Sequence, residues 1–149
     1  MKPLHTYLRF PALILFLLFL TACSESENHV TKSATMATLD VYKNRTCQCC
    51  QQWVHHMEDV GFDTKTHHPS DLNRIKNDYG IAPEFQSCHT AVTSNGYVFE
   101  GHIPARFVQQ FLENPPDDAI GLSVPGMPAG SPGMEMGDRF TPYKVWLLK

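Results

Sequence analysis

The stretch Thr38-Leu39-Asp40-Val41-Tyr42-Lys43-Asn44-Arg45-Thr46-Cys47-Gln48-Cys49-Cys50-Gln51-Gln52-Trp53 decides the fold. Its first five residues alternate and predict a short strand. Lys43–Thr46 reads as a loop. From Cys49 onward, Trp53, Met57 and Val60 recur at i, i+4 and i+7, which is one face of a helix, and Gly61 is its stop. The cysteines therefore stand where a strand gives way to the first turn of a helix. A Cys-x-x-Cys pair at such a junction points to a thioredoxin-like arrangement.

Working outward, Phe62–His67 predicts a second strand. Pro69-Ser70 opens a second helix with Leu72, Ile75 and Tyr79 on one face and Gly80 as its stop. Asn95-Gly96 between Ala91–Ser94 and Tyr97–Glu100 is a strong hairpin signal. Pro104 starts a third helix carrying Phe107, Val108, Phe111 and Leu112, and Pro115-Pro116 closes it. Gly121–Asp138 is rich in Gly, Pro and Met and lacks periodicity. Lys144–Leu148 predicts a last strand. Early alternation and a late hairpin imply an α/β fold, a thioredoxin-like mixed sheet flanked by helices, with a long Gly/Pro/Met-rich loop before the last strand.

Composition narrows the function classes. The chain has 149 residues, 42% hydrophobic and 18% charged, which suits one globular domain. A net charge of −3 without a basic block gives nucleic acid no electrostatic footprint. The longest apolar run, Ala12–Leu20, is nine residues, against about 20 for a spanning helix. Five cysteines are too few for a disulfide-dense scaffold.

Residues 1–22 read as a secretory signal, with Lys2 and Arg9 before the apolar Leu13–Leu20. Leu20-Thr21-Ala22-Cys23 resembles a bacterial lipobox, so Cys23 is expected to carry lipid. The alternative is plain secretion with Cys23 as a spare thiol. Ser24 after the cysteine points to the outer membrane. Residues 23–37 read as a flexible tether and residues 38–149 as the folded domain. Cysteines outside the cytoplasm are either oxidised or held by metal.

Cys47-Gln48-Cys49-Cys50 carries the chemistry. Unsatisfied N–H groups at a helix start favour thiolate, and Lys43 and Arg45 add positive charge nearby. Three sulfurs in four residues do not suit one tetrahedral ion, whose ligands usually come in separated pairs. They suit bridging of several soft ions, for which Cu(I) is the match. Two other readings stay open: a redox disulfide of Cys47 and Cys50 with Cys49 as a small buried hydrophobe, or inert structural disulfides. In a thioredoxin-like fold the turn before the hairpin faces this helix start, which brings Cys88 within reach as a fourth sulfur. His89 and His102 flank the hairpin and are candidate outer ligands. His55-His56 and His67-His68 read as solvated or incidental. Met127, Met134 and Met136 lie in a loop that cannot build a helical core face. Their thioethers suit Cu(I), or the loop acts as a lid.

The chain resembles the CopG family, small bacterial periplasmic proteins of copper-resistance loci. The residues that carry this are Val41-Tyr42-Lys43, Cys47-Gln48-Cys49-Cys50, Trp53, Gly61-Phe62, Ser87-Cys88-His89-Thr90-Ala91-Val92, Gly96-Tyr97, Glu100-Gly101-His102-Ile103-Pro104-Ala105 and the run from Gly121 to Met134. The resemblance implies a thioredoxin-like fold and a cluster of several copper ions bridged by Cys47, Cys49, Cys50 and Cys88. It also implies interconversion of Cu(I) and Cu(II) in the periplasm. Asn44-Arg45-Thr46 stands where a proline often precedes the cysteines. The expected function is therefore copper binding for copper resistance, with His89, His102, Met127 and Met134 as outer ligands. The expected partners are copper ions and envelope copper-handling proteins, with the membrane met only through the lipid anchor. The rival is a thiol–disulfide oxidoreductase in which Cys47 attacks and Cys50 resolves.

Overall fold

Alternation along β1 (Thr38–Lys43) buries Leu39, Val41 and Lys43. The structure, a computed structural model, describes residues 36–149. The expected signal, Cys23 and nearly all of the expected tether lie outside the described residues. β1 pairs in parallel with β2 (Asp63–His67), Thr38 opposite Asp63 through Tyr42 opposite His67. A parallel pair requires a crossover, and α1 (Gln48–Asp59) supplies it.

α1 buries Cys50, Trp53, Val54 and Met57, one stripe at helical spacing. Val60, expected on that face, is instead the C-cap residue and is exposed. The helix ends at Asp59, one residue short of it. α2 (Leu72–Asp78) is capped by Asp71, whose carboxylate accepts from the N–H of Arg74 at 3.0 Å. Within α2 the buried residue is Lys76, whereas Leu72 and Ile75 are only part-buried.

β3 (His89–Thr93) runs antiparallel to β1, Lys43 opposite His89, and antiparallel to β4 (Val98–Gly101), Ala91 opposite Phe99. Asn95-Gly96 makes the expected turn, with Gly96 at φ +88°. Every residue of β3 and β4 is buried, as befits central strands covered on both faces. α3 (Ala105–Glu113) follows and buries Ala105, Val108 and Phe111.

One expectation needs correction. The first residues of the anticipated loop form a strand, β5 (Gly121–Val124), parallel to β4 and antiparallel to β6 (Trp146–Leu148). Four residues containing Gly and Ser, followed at once by Pro125-Gly126, give too short a pattern to read. Gly121 is required there, because a Cβ would lie 1.7 Å from the carbonyl oxygen of Val98. The irregular loop starts at Pro125. The six strands form one mixed sheet in the order β2-β1-β3-β4-β5-β6.

Successive residues of β4 point to opposite faces. Phe99 joins α1 and α3 in the main core, with Leu39, Trp53, Met57, Val108, Phe111 and Val124. Val98 joins Ile81, Leu148, Tyr79 and Phe85 on the other face. Among the described residues no helix is long and apolar enough to cross a membrane.

Candidate metal centre

The first wall of the site is the start of α1. Cys47 is its N-cap, and its Sγ accepts from the N–H of Cys50 at 3.4 Å. Cys47 and Cys50 are joined as a disulfide, with Cα atoms 5.4 Å apart. Cys49 is a free thiol, 3.5 Å from the sulfur of Cys47, which as half of a disulfide can only accept its proton. The loop before the cysteines holds its shape without proline: Asn44 Oδ1 accepts from the N–H of Thr46 at 3.0 Å and from its hydroxyl at 2.9 Å. Lys43 is buried beneath this loop and its Nζ donates to the carbonyls of Asn44 and Cys47, both at 3.5 Å, while Arg45 is exposed.

The second wall is the entry to β3 and the exit of β4. Cys88 Sγ lies 3.0 Å from His102 Nε2 and 3.4 Å from His89 Nδ1. Burial, then the neighbouring Cys49, pushes the Cys88 thiol up to about 12, against the smaller pull of Ser87 and Lys76. The thiol is therefore protonated at neutral pH and donates to His102 Nε2. Nδ1 of His102 donates to the carbonyl of Pro132 at 2.8 Å. Burial holds His102 below the ordinary histidine range. Burial, then His102, Lys76 and Lys43, holds His89 well below it, so both rings are neutral. The His89 ring lies 4.5 Å from that of Trp53 and edge-on to His102 at 5.0 Å.

A buried polar network supports this second wall. Lys76, 2% exposed, and Glu100, fully buried, form an ion pair at 2.5 Å. Lys76 also donates to the Thr90 hydroxyl at 3.0 Å, and that hydroxyl donates to Glu100 at 2.6 Å. Glu100 also accepts from the N–H of Ser87, next to Cys88. Burial raises the Glu100 carboxyl, and Lys76 opposes the shift. Sequence reasoning missed Lys76 and Thr90 and gave Glu100 no role. The available signal was an acidic residue inside the apolar strand Val98-Phe99-Glu100, which demands a buried cation.

The two walls meet. The sulfurs of Cys47, Cys49, Cys50 and Cys88 all lie within 4.8 Å of one another. Cys88, His89 and His102 form a second group within the same limit, so Cys88 belongs to both. The Gly/Pro loop is fastened across this region. Ser87 pairs with Gly126, its hydroxyl donating to the Gly126 carbonyl. Gly133 lies so close to α1 that a Cβ would stand 2.6 Å from the Cys49 carbonyl oxygen and 2.8 Å from the Trp53 nitrogen.

The remaining candidates are scattered. Met127 is 54% exposed and Met136 is exposed at a turn with Arg139. Met134 is half-buried beside Gly133, its N–H donating to the Ser131 carbonyl at 2.8 Å. His55 bonds Gln51, His67 pairs with Asp40 at 2.7 Å, and His68 meets the Lys43 carbonyl. His56 is not incidental: its Nε2 accepts from the N–H of Ala105, at the first turn of α3.

Residues 85–134 match DUF411, a family described as a protein of unknown function. No curated protein sequence matches the chain. Among solved structures, copper resistance protein CopG, form 2, is 40% identical, with a TM-score of 0.71, covering 75% of this chain and 88% of that one. Its form 1 gives 40% identity and a TM-score of 0.70, covering 74% and 86%.

Proposed function

The chain belongs to the CopG copper resistance family, and from that premise we propose that it binds copper in the cell envelope and so contributes to copper resistance. The convergence of four cysteine sulfurs within 4.8 Å carries the reading. Thiolates are soft ligands and select Cu(I), and sulfurs this close can bridge several ions. In the form where an external thiol reductant has supplied the two electrons and two protons that open the Cys47–Cys50 disulfide, Cys47, Cys49, Cys50 and Cys88 would hold them. His89 and His102, grouped with Cys88, serve as outer ligands or shielding, and Met134 is a candidate from the loop. Met127, being exposed, would serve only at the rim. Bound copper supplies one-electron chemistry, and interconversion of Cu(I) and Cu(II) is the redox role we infer. Lys76 pulls the Cys88 thiol toward its deprotonated form, against the larger push of burial, and the Pro132–Gly133 segment limits water.

The order of elements supports a thioredoxin-like ancestry: a parallel βαβ unit, an antiparallel pair, and a Cys-x-x-Cys at the first helix start. The N-terminal sequence supports export and lipid attachment at Cys23, with the outer membrane as destination. Copper-handling proteins of the envelope are then the natural partners.

A second reading, a thiol–disulfide oxidoreductase, is favoured by the Cys47–Cys50 disulfide itself. Metal analysis with thiol titration on one reduced, anaerobic, copper-loaded sample separates the two. More than one Cu(I) per chain, falling in Cys49→Ser and Cys88→Ser, supports the copper reading. A protein that keeps no copper and reduces insulin disulfides supports the rival.

A further inference from the structure

Building on the copper reading, we propose that Cys88, His89 and His102 form a mixed sulfur–nitrogen position for Cu(II), available while Cys47 and Cys50 are joined. The disulfide takes two of the four sulfurs out of service. It leaves Cys88 and both imidazoles untouched. One thiolate with two imidazoles is a harder donor set than four thiolates and is the set found in copper electron-transfer sites.

Three observations carry this. First, the tautomer of His102 is fixed. Nδ1 donates to the Pro132 carbonyl at 2.8 Å, so Nε2 holds the lone pair and aims it at Cys88 Sγ, 3.0 Å away. Metal-binding histidines are oriented in this way, by a hydrogen bond from the far nitrogen. Second, His89 is fully buried and poorly satisfied. Its Nδ1 faces the Cys88 sulfur at 3.4 Å, the Gly101 backbone lies near the ring, and its Nε2 has no hydrogen bond of ordinary geometry among the described residues. A neutral ring with its proton on Nε2 turns the Nδ1 lone pair toward that sulfur, where an ion can take it. Third, the spacing suits an ion. Sulfur and nitrogen ligands of one tetrahedral first-row ion sit about 3.5 Å apart, given bond lengths near 2.3 and 2.0 Å. The two sulfur–nitrogen distances are 3.0 and 3.4 Å, so a small opening admits the ion.

Binding replaces one proton: the Cys88 S–H bond breaks, a sulfur–copper bond forms and the proton leaves to solvent. No electron moves in that step. Because Cys88 is common to both groups, its sulfur serves the all-sulfur position when the disulfide is open and the mixed position when it is closed.

The test uses the full chain with Cys23→Ser and Cys49→Ser and the Cys47–Cys50 disulfide intact, so that Cys88 is the sole thiol. Co(II) alone is the probe, being redox-inert. One Co(II) per chain is expected, with a thiolate charge-transfer band. Cys88→Ser should abolish the band. His102→Asn, whose amide can still donate to the Pro132 carbonyl, should weaken binding at least tenfold. Equal affinity and spectrum in His102→Asn overturns the proposal. A measurement on the same background without that variant guards against misfolding: with 15N-labelled histidine and bound Cu(II), pulsed EPR should show histidine nitrogen coupling, and its absence overturns the proposal too. Cu(I) content of the reduced wild-type chain separates the two readings. Several Cu(I) with no histidine coupling defeats the mixed position alone, and one Cu(I) or none with clear coupling defeats the cluster alone.

Discussion

The α1 wall draws three cysteines from four consecutive residues and shapes them with its own loop and helix start. The β3–β4 wall contributes one cysteine and needs Lys76, Ser87, Thr90, Glu100, His102 and Pro132 to hold it, from four separate parts of the chain. The first wall is local chemistry. The second is tertiary structure built around a buried charge pair. Damage should accordingly spread differently: substitutions in the first wall cost metal, and substitutions behind the second cost the fold.

Lys76→Met gives the sharpest contrast. It strands Glu100 in the core, and breaking a buried pair costs about 3–5 kcal/mol. Urea unfolding of the disulfide form should show that loss, and Lys76→Met with Glu100→Gln should recover part of it. A change below about 1 kcal/mol in the single variant would mean the two walls differ less than the network implies.

Gly133→Ala strikes the seam. The new Cβ meets the backbone at Cys49 and Trp53, at φ +82°. Overpacking of this kind costs about 2 kcal/mol. The loop should also lift, so that Cys49 reacts faster with a thiol reagent. Equal reactivity would show that the loop does not cover the first wall.

Trp53→Phe probes the packing of α1 without touching sulfur. It removes the bond from Nε1 to the Ile103 carbonyl at 2.8 Å, worth about 1 kcal/mol. Thermal unfolding should report that loss, with copper content in the reduced protein unchanged.

The smallest effect concerns pH. His56 must be neutral to accept from Ala105, and burial lowers its pKa below 6.5. The unfolded chain therefore takes up a proton first. This contribution is full above pH 6.5 and declines as pH falls from there toward the folded value. Melting curves of wild type and His56→Gln between pH 7.5 and 5 should converge on the acid side.

The same division explains what could be read in advance. Cys47, Cys49 and Cys50 are neighbours in sequence, so a motif and a helix period were enough to place them at a strand–helix junction. Cys88 came within reach only by supposing a topology, and the sheet order places it beside the other three. Lys76 was unreadable because a lysine in a polar heptapeptide helix looks solvated until its partner on β4 is known. β5 was hidden because its pairing with Val98–Gly101 is long-range and its residues are small. His56 escaped because helix caps contributed across the fold leave no periodic trace.

The partner that orients His102 is a main-chain oxygen. A backbone atom cannot be deleted by exchanging the residue that bears it. Selection at position 132 therefore acts on the path of the chain and scarcely on side-chain identity. Relatives with other amino acids there should preserve the same imidazole tautomer so long as the loop keeps its course.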